Sequence, residues 1–283
     1  MQNAVRNTTA QSLVENVMQL VSLPEIYLRL QQVIDDPLHT REQFAEIIAC
    51  DPSLSARVLR IANSSYYGFP RQIETVNEAV GIIGELDIRN LVLATTVAGS
   101  MNALSHQGVD IGEFWLHSLR CGVIGRQLAR KTGIFNPDVM FLAGILHDIG
   151  ILVIYQQDAA LAGAIACQID EKHQFRDQAE RELLGFDHAE VGALLIEAWG
   201  LPAELAELAR CHHQYQLAQQ NRAAALMLAL ANRLAGDALA EAADSDPMLA
   251  SMIEQLEIGS AALALIVEHS EQQCAEIKNI ILG

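Results

Sequence analysis

Phe141-Leu142-Ala143-Gly144-Ile145-Leu146-His147-Asp148-Ile149-Gly150-Ile151-Leu152-Val153-Ile154 is apolar throughout, apart from the His-Asp doublet at its centre. A run with so little polar face reads as one helix buried on all sides. A carboxylate inside such a helix is costly unless it is hydrogen-bonded, paired or bound to a metal. His147 and Asp148 therefore need partners from elsewhere in the chain. Two readings are open. The doublet belongs to a satisfied polar network in the core, or it supplies two ligands to one divalent ion. Imidazole and carboxylate together suit Zn, Fe, Mn or Ni.

Working outward, Asn136-Pro137 caps and starts this helix, and Met140, Gly144, His147 and Ile151 share a face. Gly144 leaves room for a neighbouring helix. Upstream, a helix is expected from Phe114 to Lys131, stopped by Thr132-Gly133. His117 falls in line with Cys121, Ile124 and Leu128 on it, and so faces inward. Downstream, a polar stretch from Gln168 to Glu182 precedes Asp187 and Glu190, which have capping-box spacing. That spacing places His188 in the first turn of a helix running to Trp199. Pro202 opens the next helix, on which Leu205, Leu208 and His212 share a face while His213 lies about 100° round. Asn232 sits within an Ala/Leu helix from Asn221 to Leu239.

Separate helices thus present His117, His147, Asp148, His188, His212 (or His213) and Asn232. Helical bundles build metal centres from facing helices in this way. A mononuclear site is expected from His117, His147 and Asp148. His188 and His212 can complete a second site at about 3.5–4 Å, the separation used for hydrolysing phosphate esters.

The rest of the chain reads as helix too. Thr40 with Gln43, and Thr75 with Glu78, have capping-box spacing, and Asp51-Pro52 is an N-cap followed by Pro at the first helical position. Hydrophobic residues make up 51% of the 283 residues and aromatics only 5%. No stretch reads as a strand, so the expected class is all-α, a multi-helix bundle. Asn102 to Gly112 is polar and is the expected boundary between two closely packed halves, 1–105 and 106–283. Asn63-Ser64-Ser65-Tyr66-Tyr67-Gly68-Phe69-Pro70 is a polar, aromatic loop. Asn63 and Tyr67 are its candidates for contact with a partner, against the alternative of a packed surface loop.

The net charge of −17, from 18 basic and 35 acidic residues, disfavours nucleic acid and anionic lipid and leaves room for a basic protein partner. The five cysteines are scattered, giving neither a disulfide framework nor a zinc ribbon. The polar first residues do not read as a signal peptide, and the longest apolar run is interrupted by His147-Asp148. A cytoplasmic protein is expected.

His117 followed by His147-Asp148 resembles the opening of the HD superfamily, whose members are all-helical and often metal-dependent phosphohydrolases. That resemblance places an Asp where this chain has Asn232. His188 and His212-His213 resemble the extra ligands of the HD-GYP branch, which cleaves cyclic di-GMP. This chain has Ile151 where that branch has Lys, and it lacks the Gly-Tyr-Pro signature. A closer resemblance is to the HDOD family, the HD-related output domain of bacterial signalling proteins. It is carried by Leu23-Pro24, the run Asp51-Pro52-Ser53-Leu54-Ser55-Ala56-Arg57 to Asn63-Ser64, and Glu78 to Gly84. Trp115-Leu116-His117-Ser118, Gly144 to Gly150, Asp187 to Ala193, and Trp199-Gly200-Leu201-Pro202 follow in order.

The HDOD resemblance implies a stand-alone regulatory module acting on a protein partner of a signalling pathway, with a degenerate His/Asp pocket. The alternative is a metal-dependent phosphohydrolase acting on a phosphate ester or cyclic nucleotide, in which His147 and Asp148 would be catalytic. The metal implied is Fe, Mn, Ni or Zn.

Overall fold

In the computed structural model, which describes residues 9–102, 108–157, 159–236 and 246–281, every regular element is helical. The first six helices are α1 (Ala10–Met18), α2 (Glu25–Asp35), α3 (Arg41–Ala49), α4 (Pro52–Ala62), α5 (Val76–Ile83) and α6 (Glu85–Asn102). They are followed by α7 (Ile111–Thr132), α8 (Pro137–Leu146), α9 (Ile149–Gln157), α10 (Ala159–Lys172) and α11 (Arg176–Leu184). The chain then forms α12 (His188–Ala198), α13 (Ala203–Cys211), α14 (Arg222–Ala235), α15 (Pro247–Gln255) and α16 (Ser260–Ile281).

Local chemistry sets the helix starts. Thr40 and Gln43 form a reciprocal box, each side chain taking the other's backbone N–H. Asp51, Asn136 and Asp246 each accept two backbone N–H groups ahead of a Pro in the first turn. At α5 only half of the expected box forms. Thr75 accepts from Glu78 N, but the Glu78 carboxylate reaches the N–H of Glu74 instead, at 3.1 Å.

The apolar stretch is not one continuous helix. It forms α8 and α9, with a turn at His147-Asp148. The His147 Nδ1 donates to the Gly144 carbonyl at 2.8 Å, an oxygen near the end of the α8 ladder, and this competes with the regular bonding there. The break has a consequence for the site, because it aims two adjacent side chains at one point. The polar stretch from Gln168 to Glu182 is likewise helical, divided between α10 and α11. The span 137–156 is apolar enough to cross a membrane, with a mean hydropathy of 1.8, and 83% of its most apolar window is buried within the protein.

Two apolar cores result. The smaller lies among α2 to α6 and includes Leu30, Phe44, Ile48, Leu54, Val58, Ala79, Ile88 and Val92. The larger surrounds α7, α8 and α9, and it also takes in Leu13, Val14 and Val17 of α1. Packing therefore assigns α1 to the side of the later helices, and α6 lines both cores. The boundary expected at 105/106 falls within 103–107, outside the described residues.

Close backbone approach locks the centre. A Cβ on Gly144 would stand 2.4 Å from the Gly122 Cα, and one on Gly150 would stand 2.0 Å from the His188 carbonyl oxygen. Only glycine lets α8 lie on α7 and α9 lie on α12 so closely. Those two contacts bring His117, His147-Asp148 and His188 within reach of one another.

Candidate metal centre

Asp148 is the hub. Its Oδ1 lies 3.3 Å from the Nε2 of both His188 and His212. Its Oδ2 lies 3.2 Å from His147 Nε2 and 3.7 Å from His117 Nε2. His213 Nε2 is 2.8 Å from His188 Nε2. Two overlapping sets of ligand atoms follow, each with its atoms within 4.8 Å of one another: Asp148, His188, His212 and His213, and His117, His147 and Asp148. Both His212 and His213 approach, so the choice between them left open by helical spacing becomes a place for each.

The other ring nitrogens are occupied. His147 Nδ1 bonds the Gly144 carbonyl, and His212 Nδ1 bonds the Ala209 carbonyl at 2.6 Å. His188 Nδ1 bonds Glu180 Oε2 at 2.5 Å, and the same oxygen accepts the His188 backbone N–H at 2.8 Å. A carbonyl or carboxylate can only accept, so each Nδ1 carries the proton. In the neutral ring each Nε2 then presents a lone pair toward the Asp148 carboxylate. Consistent with this, His147 Nε2, His212 Nε2 and Asp148 Oδ1 are buried without a hydrogen-bond partner. Acceptors that face acceptors at this range are held by a positive charge between them, either a metal ion or a proton on one of the rings.

The electrostatics have the same sense. Burial pushes the Asp148 carboxyl up, but the surrounding histidines outweigh it and hold the group well below the usual carboxylate range. Burial works against charge on His188, yet Glu180 and Asp148 hold its ring at about 10. His213 is pushed far down, by burial first and then by His212 and His188. Burial also lowers His117. With no ion, a proton on His188 has to take the cation's part. Imidazole oriented by a carboxylate behind it is the usual second layer of a metal site. The donor chemistry and the unpaired buried atoms both fit a divalent ion.

Asn232 Oδ1 lies 2.9 Å from His117 Nε2, so the sixth expected residue reaches the rim of the cluster. Glu180 escaped the sequence reading, because it lies in a strongly polar segment. Its eight-residue spacing from His188 shows significance only once α11 folds back on α12.

Asn63 and Tyr67 lie elsewhere. The Asn63 side chain bridges its own loop, donating to the Ile73 carbonyl at 2.9 Å and accepting from Ile73 N at 2.8 Å. Tyr67 is half-buried, stacked on Phe69, with the Arg126 guanidinium 5.0 Å from its ring centre.

A family model for the HDOD domain matches residues 20–215. The chain belongs to the HDOD family. The fold is similar to that of a candidate phosphohydrolase from Shewanella amazonensis SB2B, at 30% identity and a TM-score of 0.77, covering 98% of this chain and 99% of that one. It is also similar to an HDOD domain protein of unknown function from Geobacter sulfurreducens, at 24% identity and a TM-score of 0.73, covering 96% of each chain. A curated, uncharacterized protein of Treponema pallidum (strain Nichols) is 24% identical over 206 residues. The match takes in 72% of this HDOD chain but only 39% of that relative's length.

Proposed function

We propose that this HDOD chain is a regulatory signalling module built around a divalent-metal centre, and that its output is contact with a protein partner. The observation that carries the metal reading is the set of Nδ1 hydrogen bonds on His147, His188 and His212, which turn three Nε2 atoms toward one buried carboxylate. Asp148 would hold metal either with His188, His212 and His213 or with His117 and His147. The signalling role rests on the family resemblance, and the net charge of −17 favours a basic partner surface.

A phosphohydrolase is the second reading, favoured by the partial opening of the cluster. The His117 side chain is 29% exposed and that of Asp148 12%, so the rim is accessible at that edge. A metal bound there supplies Lewis acidity and a water of lowered pKa. The chain's own contribution is to fix the imidazole tautomers and to hold one carboxylate between both sets of histidines. The candidate phosphohydrolase relative at 30% identity supports the same reading.

Elemental analysis of protein purified without chelator or a metal-affinity step tests the main proposal. Bound Fe, Mn, Ni or Zn, lost in Asp148→Asn, is the expected result. Metal-free protein with native helicity would refute it. Turnover of bis(p-nitrophenyl) phosphate by the metal-loaded protein, abolished in Asp148→Asn, would favour the hydrolase instead.

A further inference from the structure

The two halves of the cluster are not equally available. In one half, Asp148 Oδ1 and His212 Nε2 are buried and unpaired, and His188 and His213 bring further Nε2 atoms that are hydrogen-bonded to each other at 2.8 Å, so that an ion replacing their one shared proton frees both. That makes four donors from α12, from the residues that follow α13, and from the turn between α8 and α9. Glu180 stands behind His188 and is itself fully buried.

In the other half, the His117 Nε2 is already engaged by the Asn232 side chain at 2.9 Å. An amide can close this pair in either tautomer. Its oxygen accepts if Nε2 carries a proton, and its NH2 donates if Nε2 is bare. A carboxylate at position 232 could only accept, so it would leave a bare Nε2 free. That half keeps only His147 Nε2 and Asp148 Oδ2 as free donors, and two donors make a poor site for a divalent ion.

We infer that this chain holds a single metal ion, in the Asp148, His188, His212 and His213 half of the cluster, and that the Asn232 amide closes the other half by pairing with His117. The inference rests on the metal reading above but goes further, since it assigns the ion to one half. Three imidazoles and one carboxylate form a donor set suited to Zn(II). Asn232 is a positioning residue here. It holds His117 in a hydrogen bond and so keeps the second ion out.

The test is Zn(II) titration of chelator-treated protein, read by calorimetry and by elemental analysis after desalting. Wild type should take up about one equivalent. His117→Ala should keep that equivalent with unchanged affinity, while His213→Ala should weaken it tenfold or more. Asn232→Asp, which removes almost no volume, should gain a second equivalent. Circular dichroism establishes that each variant retains its helices, and the Asn232→Asp result stands alone if a histidine variant does not. Two equivalents in wild type, or metal lost in His117→Ala and kept in His213→Ala, would overturn the assignment and leave the metal centre standing. A single equivalent in Asn232→Asp would overturn the closure by the amide. No Zn(II) uptake by folded wild type would bring down the metal reading together with the assignment.

Discussion

Helix α8 has a carboxylate cluster at each end, and the two are satisfied in opposite ways. At its start, Asp138 and the neighbouring Asp87 share Arg126, whose side chain is 2% exposed. The guanidinium lies 3.0 Å from Asp138 and 3.4 Å from Asp87, with its carbon 4.3 Å from the centre of the Tyr66 ring. At its end, Asp148 meets imidazoles, three of which have their outward nitrogens already committed. The first cluster carries its own cation, and the second offers a place for one. The two clusters in one helical frame thus show that a carboxylate drawn away from water needs a counter-charge, without dictating whether side chain, proton or metal supplies it.

Removing the internal cation should have the largest effect. Arg126→Leu leaves Asp87 and Asp138 without their guanidinium, and a loss of about 3–5 kcal/mol in urea unfolding is expected. A loss under 1 kcal/mol would mean that Arg126 is not the counter-charge. Next comes the external cation. Chelation of metal-loaded wild type should lower stability by about 3 kcal/mol where the free ion had been at a hundred times its dissociation constant. The same treatment should leave the melting temperature of Asp148→Asn unmoved. A chelator effect of equal size in both proteins would place the ion elsewhere.

Tyr67→Ala probes the aromatic cover of the Arg126 cluster. Its ring lies beside the guanidinium and against Tyr66 and Phe69, so a cost of about 2 kcal/mol is expected. An unchanged melting temperature would return the loop to the role of a free contact surface. The last effect concerns pH. Burial, and then hydrogen bonding to Asp138, push the Asp87 carboxyl up to about 8. A raised carboxyl binds its proton more tightly in the folded chain, so its contribution is full below the ordinary value of 3.8 and falls as pH rises toward 8. Asp87→Asn should flatten this decline in a series of unfolding curves. An identical slope in both proteins would show that Asp87 titrates normally.

Much of this was legible before folding. The helical class follows from the Ala/Leu-rich, strand-poor composition and from caps such as Thr40, Asp51 and Asn136, whose chemistry is local. His117, His147 and His212 are picked out by their positions on apolar helix faces, Asp148 by lying inside an apolar run and His188 by its place in a first turn, and the structure brings all five together. Glu180 was not legible, because its segment Arg176-Asp177-Gln178-Ala179-Glu180-Arg181-Glu182 looks like a solvated helix. Its burial depends on what α11 packs against. Arg126 was hidden for the same reason. A cation on an amphipathic helix carries no mark of the carboxylates that will meet it.

The sequence by itself determined the helices, their caps, the polar residues on their inner faces and the resemblance to the HDOD family, because these depend on neighbours a few residues apart. Tertiary structure alone decided that His212 and His213 both approach Asp148, and that Asn232 closes on His117. Those outcomes depend on contacts spanning tens of residues, and on glycines at 144 and 150 that allow backbones to touch. Sequence spacing can say which way a side chain faces, but only packing says what it faces.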